Sequence, residues 1–152
     1  MMLASTWVSS SGHHTGAPVA LASGATETAV AGSDEVAGTF DAFIDCSGNA
    51  RAVDAGVRTV RPGGSVVLVG MGADELRLPL SLIQRRELLI TGTFRYANTW
   101  PTAIALAASG RVNLDDLVTG EYGLADVERA LTAGRDPHSI KALVRPAIGG
   151  HR

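Results

Sequence analysis

Arg95 and Tyr96 are the residues of this chain best placed to read a polar ligand. They follow the β-rich run Leu88-Leu89-Ile90-Thr91-Gly92-Thr93-Phe94 and precede Ala97-Asn98-Thr99-Trp100-Pro101, where a helix is expected to begin. In open α/β sheets, ligands sit just beyond the carboxyl ends of the strands. An arginine there offers a permanent charge and several N–H donors for hydroxyls or phosphate. A tyrosine adds one hydroxyl and an apolar face. The plainer reading of the pair is a solvated rim, because charged side chains are mostly exposed. On the residues alone both readings stay open.

Other candidate groups are poorer. Cys46 is the single cysteine, so no internal disulfide forms and a reducing compartment, the cytoplasm, is expected. As a zinc ligand it lacks a second thiol and a nearby His pair at ligand spacing. It reads instead as a small buried hydrophobe. His13 and His14 are adjacent in a Ser- and Gly-rich stretch, which defines no metal site. No metal ligand is assigned. Asp41 and Asp45 stand at i and i+4 of one short strand, about 13 Å apart from the strand rise. That is too far for two carboxylates acting on one bond. No Ser-His-Asp arrangement stands out, so no catalytic residue is assigned. Trp100 reads as core or interface packing.

The elements that must position Arg95 and Tyr96 show in the punctuation. Asp41-Ala42-Phe43-Ile44-Asp45-Cys46 is a short apolar run closed by Ser47-Gly48, a strand and a turn. Val53, Val57 and Val60 form one helical stripe within residues 49–60. Pro62-Gly63-Gly64 stops that helix, and residues 65–70 read as a strand covered on both faces. A short extended piece over 76–79 and a helical turn or two over 80–86 lead to the strand at 88–94. A helix over 100–109 takes Asn98 or Thr99 as cap and Pro101 in its first turn, with Gly110 ending it. A further helix spans 125–133, with Val127, Ala130 and Leu131 on one side and Gly134 as its stop. Residues 140–144 form a last strand.

Before residue 40 the signal is weaker. Residues 1–18 read as a loose tail, Leu21 to Thr26 as a helix end with Gly24 past the last turn, and 27–40 as mostly loop. The expected organisation is a tail over 1–18, one dinucleotide-binding domain over 19–146 and a second tail over 147–152. The fold class expected is α/β, a partial Rossmann-type doubly wound parallel sheet. Right-handed crossovers gather three strand tips on one rim: Cys46-Ser47-Gly48, Val69-Gly70-Met71 and Thr93-Phe94-Arg95-Tyr96. Gly48, Gly70 and Gly72 lack Cβ atoms, which lets a flat ligand approach the backbone. Equally, glycines end strands in ordinary turns. No G-x-G-x-x-G occurs in the sequence.

Composition excludes some partners. The net charge of −2 carries no long run of one sign, which argues against nucleic acid and anionic membrane as partners. No apolar run approaches the roughly 20 residues that span a bilayer.

Several motifs together resemble the sorbitol (L-iditol) dehydrogenases, the polyol branch of the zinc-dependent medium-chain dehydrogenases. They are Ile44-Asp45-Cys46-Ser47-Gly48, Arg61-Pro62-Gly63-Gly64 leading into Val67-Leu68-Val69-Gly70-Met71-Gly72, the run from Thr93 to Pro101, and Ile140-Lys141-Ala142-Leu143-Val144. The run from Thr93 to Pro101 is the narrowest of them. The resemblance implies NAD, or NADP, as cofactor. It implies that Val69, Gly70 and Met71 line the nicotinamide, that Thr93, Phe94 and Arg95 touch the cofactor at the next tip, and that Cys46, Ser47 and Gly48 complete the wall. It implies that Arg95 and Tyr96 hold a small polyol substrate and that strand 88–94 joins two subunits into a homo-oligomer.

The resemblance also implies a separate domain with zinc ligands and a proton relay, for which this chain has no counterpart. The first Rossmann strand and its glycine loop would lie before residue 20, where Trp7 to His14 match nothing. A truncated or frame-shifted reading frame, with family sequence resuming near Val19, is the expectation. The function expected is that of a dehydrogenase fragment inactive alone, supplying the nicotinamide wall and substrate contacts. The alternative is a non-catalytic half-domain that only dimerises or binds dinucleotide weakly.

Overall fold

A computed structural model describes residues 6–9, 16–30, 39–72, 74–94, 96–136 and 138–146. Thr6–Ser9 forms strand β1, Gly16–Ala22 helix α1 and Glu27–Val30 strand β2, with β1 and β2 in a two-stranded sheet. Strands therefore stand at residues 6–9 and 27–30, within stretches read as a loose tail and as mostly loop, while residues 1–5, 10–15 and 31–38 lie outside the described residues. Thr-Trp-Val favours extended backbone, but a four-residue strand is too short for a period to show. Pro18 sits early in α1, where a missing N–H costs little. Gly24 follows that helix at φ +101°, the stop expected of it.

The chain divides into two compact units, one built on Ala29–Asn98 and the other on Thr99–Arg152 with His13–Thr28. In the first, strand β3 (Phe40–Asp45), helix α2 (Ala50–Thr59), strand β4 (Val60–Leu68), helix α3 (Leu80–Arg85) and strand β5 (Leu89–Gly92) follow one another. The strands form a parallel sheet in the order β3-β4-β5. Val53 and Val57 of α2, with Val60 and Val66 of β4, are its buried centre. Phe43, Leu68, Leu82, Ile83 and Ile90 pack around them. Residues of α2 and α3 therefore meet the same sheet face, as two right-handed crossovers made in one direction require.

β4 starts earlier than its apolar run. Arg61-Pro62-Gly63-Gly64 stay extended within the strand, and the register with β3 slips between Phe40 and Ala42 to absorb them. A proline is tolerated in a sheet at such an irregularity. The Arg86 guanidinium closes this end of the unit. It donates to the carbonyl oxygens of Arg58 at 2.8 Å and Val60 at 2.7 Å, at the C-terminal end of α2 where a cation is favoured.

In the second unit, helix α4 (Trp100–Ala108) has Pro101 in its first turn and is followed by Gly110 at φ +70°. Strand β6 (Val118–Tyr122), helix α5 (Val127–Thr132) and strand β7 (Lys141–Val144) form a second parallel crossover. β6 was not expected, because Gly120 and Glu121 interrupt its apolar pattern. α5 buries Ala130, but Leu131 beside it is 82% exposed, against the expectation of a shared packed side. Six helical residues pass into a tighter 3₁₀ turn over Ala133–Arg135, leaving room for only one buried line. Trp100, expected as core or interface, is 56% exposed. Among the described residues no helix is long and apolar enough to cross a membrane.

Val66 has no exposed surface at the centre of the first unit. Val66→Ala is expected to destabilise the chain by roughly 2 kcal/mol, the cost of a small core cavity. Leu131→Ala is expected to stay within about 0.5 kcal/mol, as surface changes do. Urea unfolding of both variants reads the difference.

Candidate functional site

The three strands end level with one another. Asp45 of β3 lies opposite Leu68 of β4, and Leu68 lies opposite Gly92 of β5. The chain beyond each gives Cys46-Ser47-Gly48, Val69-Gly70-Met71 and Thr93-Phe94, so these expected site residues emerge side by side on one rim. Thr93 N donates to Leu68 O at 3.0 Å, tying the third tip to the second. Arg95 lies outside the described residues, as do His13 and His14. Tyr96 is described and is 59% exposed.

Asp45 organises the first two tips. Its carboxylate accepts from Ser47 Oγ at 2.7 Å, Ser47 N at 3.0 Å and Gly48 N at 2.9 Å. Its carbonyl oxygen accepts from Val69 N at 2.8 Å and Gly70 N at 3.0 Å, across to the second tip. The residue is only 3% exposed. Burial, the largest single influence, pushes its carboxyl pKa up; the bonds from the Ser47 hydroxyl and the Gly48 and Ser47 amides together outweigh it and hold the pKa below the usual carboxylate value. Asp41 has a different task, pairing with Arg61 at the opposite end of β3. Beyond the turn, Asn49 caps α2, its Oδ1 accepting from Arg51 N at 3.0 Å and Ala52 N at 3.3 Å.

At three glycines of the rim the Cβ direction is taken by the facing loop. A Cβ built on Gly48, which has φ +65°, would stand 2.7 Å from Gly72 N. One on Gly70 would stand 2.6 Å from Ser47 N, and one on Gly72 would stand 2.8 Å from the Gly48 carbonyl carbon. Each loop therefore fills the space that the other's glycine leaves. The rim's surface is made by side chains instead. Met71 is 79% exposed, Phe94 65% and Val69 41%. Cys46, expected to be buried, is exposed, because Asp45 takes the last inward position of the strand.

Sequence reasoning missed Asp45 and Asn49. Both had a signal: an aspartate with Ser at +2 and Gly at +3 matches an Asx-type turn, and Asn before an apolar-periodic run matches a helix cap. Among the described residues, no three His, Cys, Asp or Glu side chains come together to hold a metal.

A parallel strand–helix–strand–helix–strand unit with its loops gathered at the carboxyl rim is a Rossmann-type half-domain. Residues 11–109 match the sequence profile of the family described as zinc-binding dehydrogenase, and the chain belongs to that family. The match begins at residue 11, ahead of Val19, where the resemblance was expected to resume. Mouse sorbitol dehydrogenase (Mus musculus) is 37% identical over 102 residues, covering 67% of this chain and 29% of that protein. The chain thus spans less than a third of that relative's length. L-idonate 5-dehydrogenase from Escherichia coli superposes with a TM-score of 0.80 at 26% identity, over 92% of this chain and 42% of the solved one. The alcohol dehydrogenase of Escherichia coli CFT073 solved with NADH and described as short chain, 18% identical, shares the fold with a TM-score of 0.78 over 90% of this chain and 43% of its own.

The lowered Asp45 pKa has a sign. Its stabilising contribution is complete above the unfolded carboxyl pKa, near 4, and is lost as pH falls through the lower folded value. Asp45→Asn is expected to cost about 1–3 kcal/mol near pH 7, the penalty for disrupting a buried set of hydrogen bonds. The gap between wild type and variant should narrow below pH 4. Urea midpoints measured from pH 7 to pH 3 test this, and a constant gap counts against it.

Proposed function

We propose that this chain supplies the cofactor shelf and substrate contacts of a zinc-dependent polyol dehydrogenase, in the cytoplasm, where a lone Cys46 stays a thiol. One observation carries the reading: three parallel strand tips end in register and present apolar side chains on a braced backbone. Val69, Met71 and Phe94 form a surface suited to the flat face of a pyridine ring, with Gly70 and Thr93 between them. Cys46, Ser47 and Gly48 flank this surface at the neighbouring tip. The kinship with sorbitol dehydrogenase and the NADH-bound fold relative support a nicotinamide cofactor, NAD or NADP.

When bound, the nicotinamide supplies the hydride chemistry. The chain's own residues hold and orient. Val69, Met71 and Phe94 exclude water from one face of the ring. Arg95 and Tyr96, next along the chain, orient the hydroxyls of a small polyol, the arginine through fixed N–H donors and the tyrosine through its hydroxyl. Zinc does not fit among the described residues, where Cys46 stands exposed and no set of three ligands converges. The described residues therefore serve the two organic partners. β5 is the last strand of its sheet, with Leu89 64% exposed, and an edge of this kind calls for cover. A second copy pairing along β5 would provide it.

Titrating the 152-residue chain with NADH and following nicotinamide fluorescence tests the reading. A saturable rise is expected, weakened by Phe94→Ala. A ketose added to the NADH-loaded chain should bind roughly tenfold more weakly to Arg95→Ala and Tyr96→Phe, the loss of one hydrogen bond or charge contact. No fluorescence change at millimolar NADH would leave the non-catalytic alternative. Zinc found at one equivalent per chain would count against a shelf that serves the cofactor and substrate alone.

A further inference from the structure

We propose that Asp45 is a positioning residue that locks the first two strand tips into one body and so sets the shape of the shelf. It rests on the cofactor reading only in what the shelf is for; the lock itself is read from geometry. Two sets of bonds meet at this residue. The carboxylate gathers Ser47 Oγ, Ser47 N and Gly48 N into a tight turn. The carbonyl oxygen takes Val69 N and Gly70 N from the next tip. Asp45 is also the one buried charged side chain among the described residues.

The turn that the carboxylate shapes is the turn against which the second tip packs. Gly48 stands against Gly72 N, Gly70 against Ser47 N, and Gly72 against the Gly48 carbonyl carbon, each closer than a side chain would permit. The contact is backbone on backbone, so neither loop can shift without the other. Moving the Ser47–Gly48 turn must displace Val69 to Gly72, residues that the Asp45 carboxylate does not touch. Asn49, four residues on, does not share this role: its side chain bonds only Arg51 N and Ala52 N of its own helix.

Amide hydrogen exchange on the full 152-residue chain tests the lock. Asp45→Asn is expected to speed exchange at Ser47 and Gly48, and also at Val69 and Gly70, roughly tenfold beyond the uniform rise that the loss of global stability gives Val66, Val67 and Ile90. Asn49→Ala, which removes a cap of comparable worth, should speed exchange at Arg51 and Ala52 and leave Val69 and Gly70 unchanged. Should Asp45→Asn fail to fold, Ser47→Ala removes one of the three carboxylate bonds and is expected to give a smaller rise at the same two tips. A rise confined to the first tip, or one no larger at the two tips than over the rest of the sheet, overturns the proposal. NADH titration of the same variants separates the two claims. Coupled loosening with weaker NADH binding supports both, whereas coupled loosening in a chain that never binds NADH sinks the cofactor reading and leaves the lock standing.

Discussion

The rim depends on one buried carboxylate. An aspartate with so little solvent is unfavourable unless its oxygens are bonded, and at Asp45 three donors meet them within three residues of chain. The arrangement explains why the strand ends where it does. Once the carboxylate has turned inward, the chain must fold back over it, and Ser47 and Gly48 are the residues that can do so. The hydroxyl of Ser47 binds the carboxylate and accepts from Asn49 N at 3.1 Å, which carries the turn into the cap of α2. A short run, Asp45 to Asn49, therefore ends a strand, shapes a loop and starts a helix.

The glycines around this turn serve packing. Their positions at strand ends invite the idea of a ligand lying against bare backbone, yet the space is taken by the facing loop. This changes what the surface can recognise. A cradle of backbone amides suits an anion such as a pyrophosphate. A braced platform bearing Val69, Met71 and Phe94 suits the flat face of a ring. The two loops close on each other at these glycines, and Val69, Met71 and Phe94 expose their side chains beside them.

Much of the first unit was legible because its signals are local and strong. Val53 and Val57 declared a helical face, and they are buried together with Val66 and with Val60, which was read on the same helix but opens β4. The three strands and the convergence of their tips followed from short connections and crossover handedness. Five features resisted. β1 and β2 have four residues each, less than a pattern needs. β6 hides behind Gly120 and Glu121. Leu131 carries the right period but ends on the solvent side of a very short helix. Asp45 was weighed with Asp41 and set aside as too distant for a carboxylate pair, and its own role was missed, because spacing along a strand says nothing about which donors a turn will bring back. Cys46 was misplaced for the same reason: the inward site it was assigned belongs to its neighbour.

Locality also explains how such a shelf can exist in a chain that spans only part of its relatives' length. Every bond of the lock joins residues between Asp45 and Gly70, and the core beneath draws on Phe43 to Ile90. Nothing in that set needs the second unit. The family's metal chemistry makes a different demand, several charged or soft ligands converging on one point, and the described residues offer no such point. Holding a flat ring needs a rigid platform, which one parallel unit can build from its own strand ends. Holding a metal needs ligands aimed at a common centre. The two requirements are separable, and on the proposed reading the described residues serve the first.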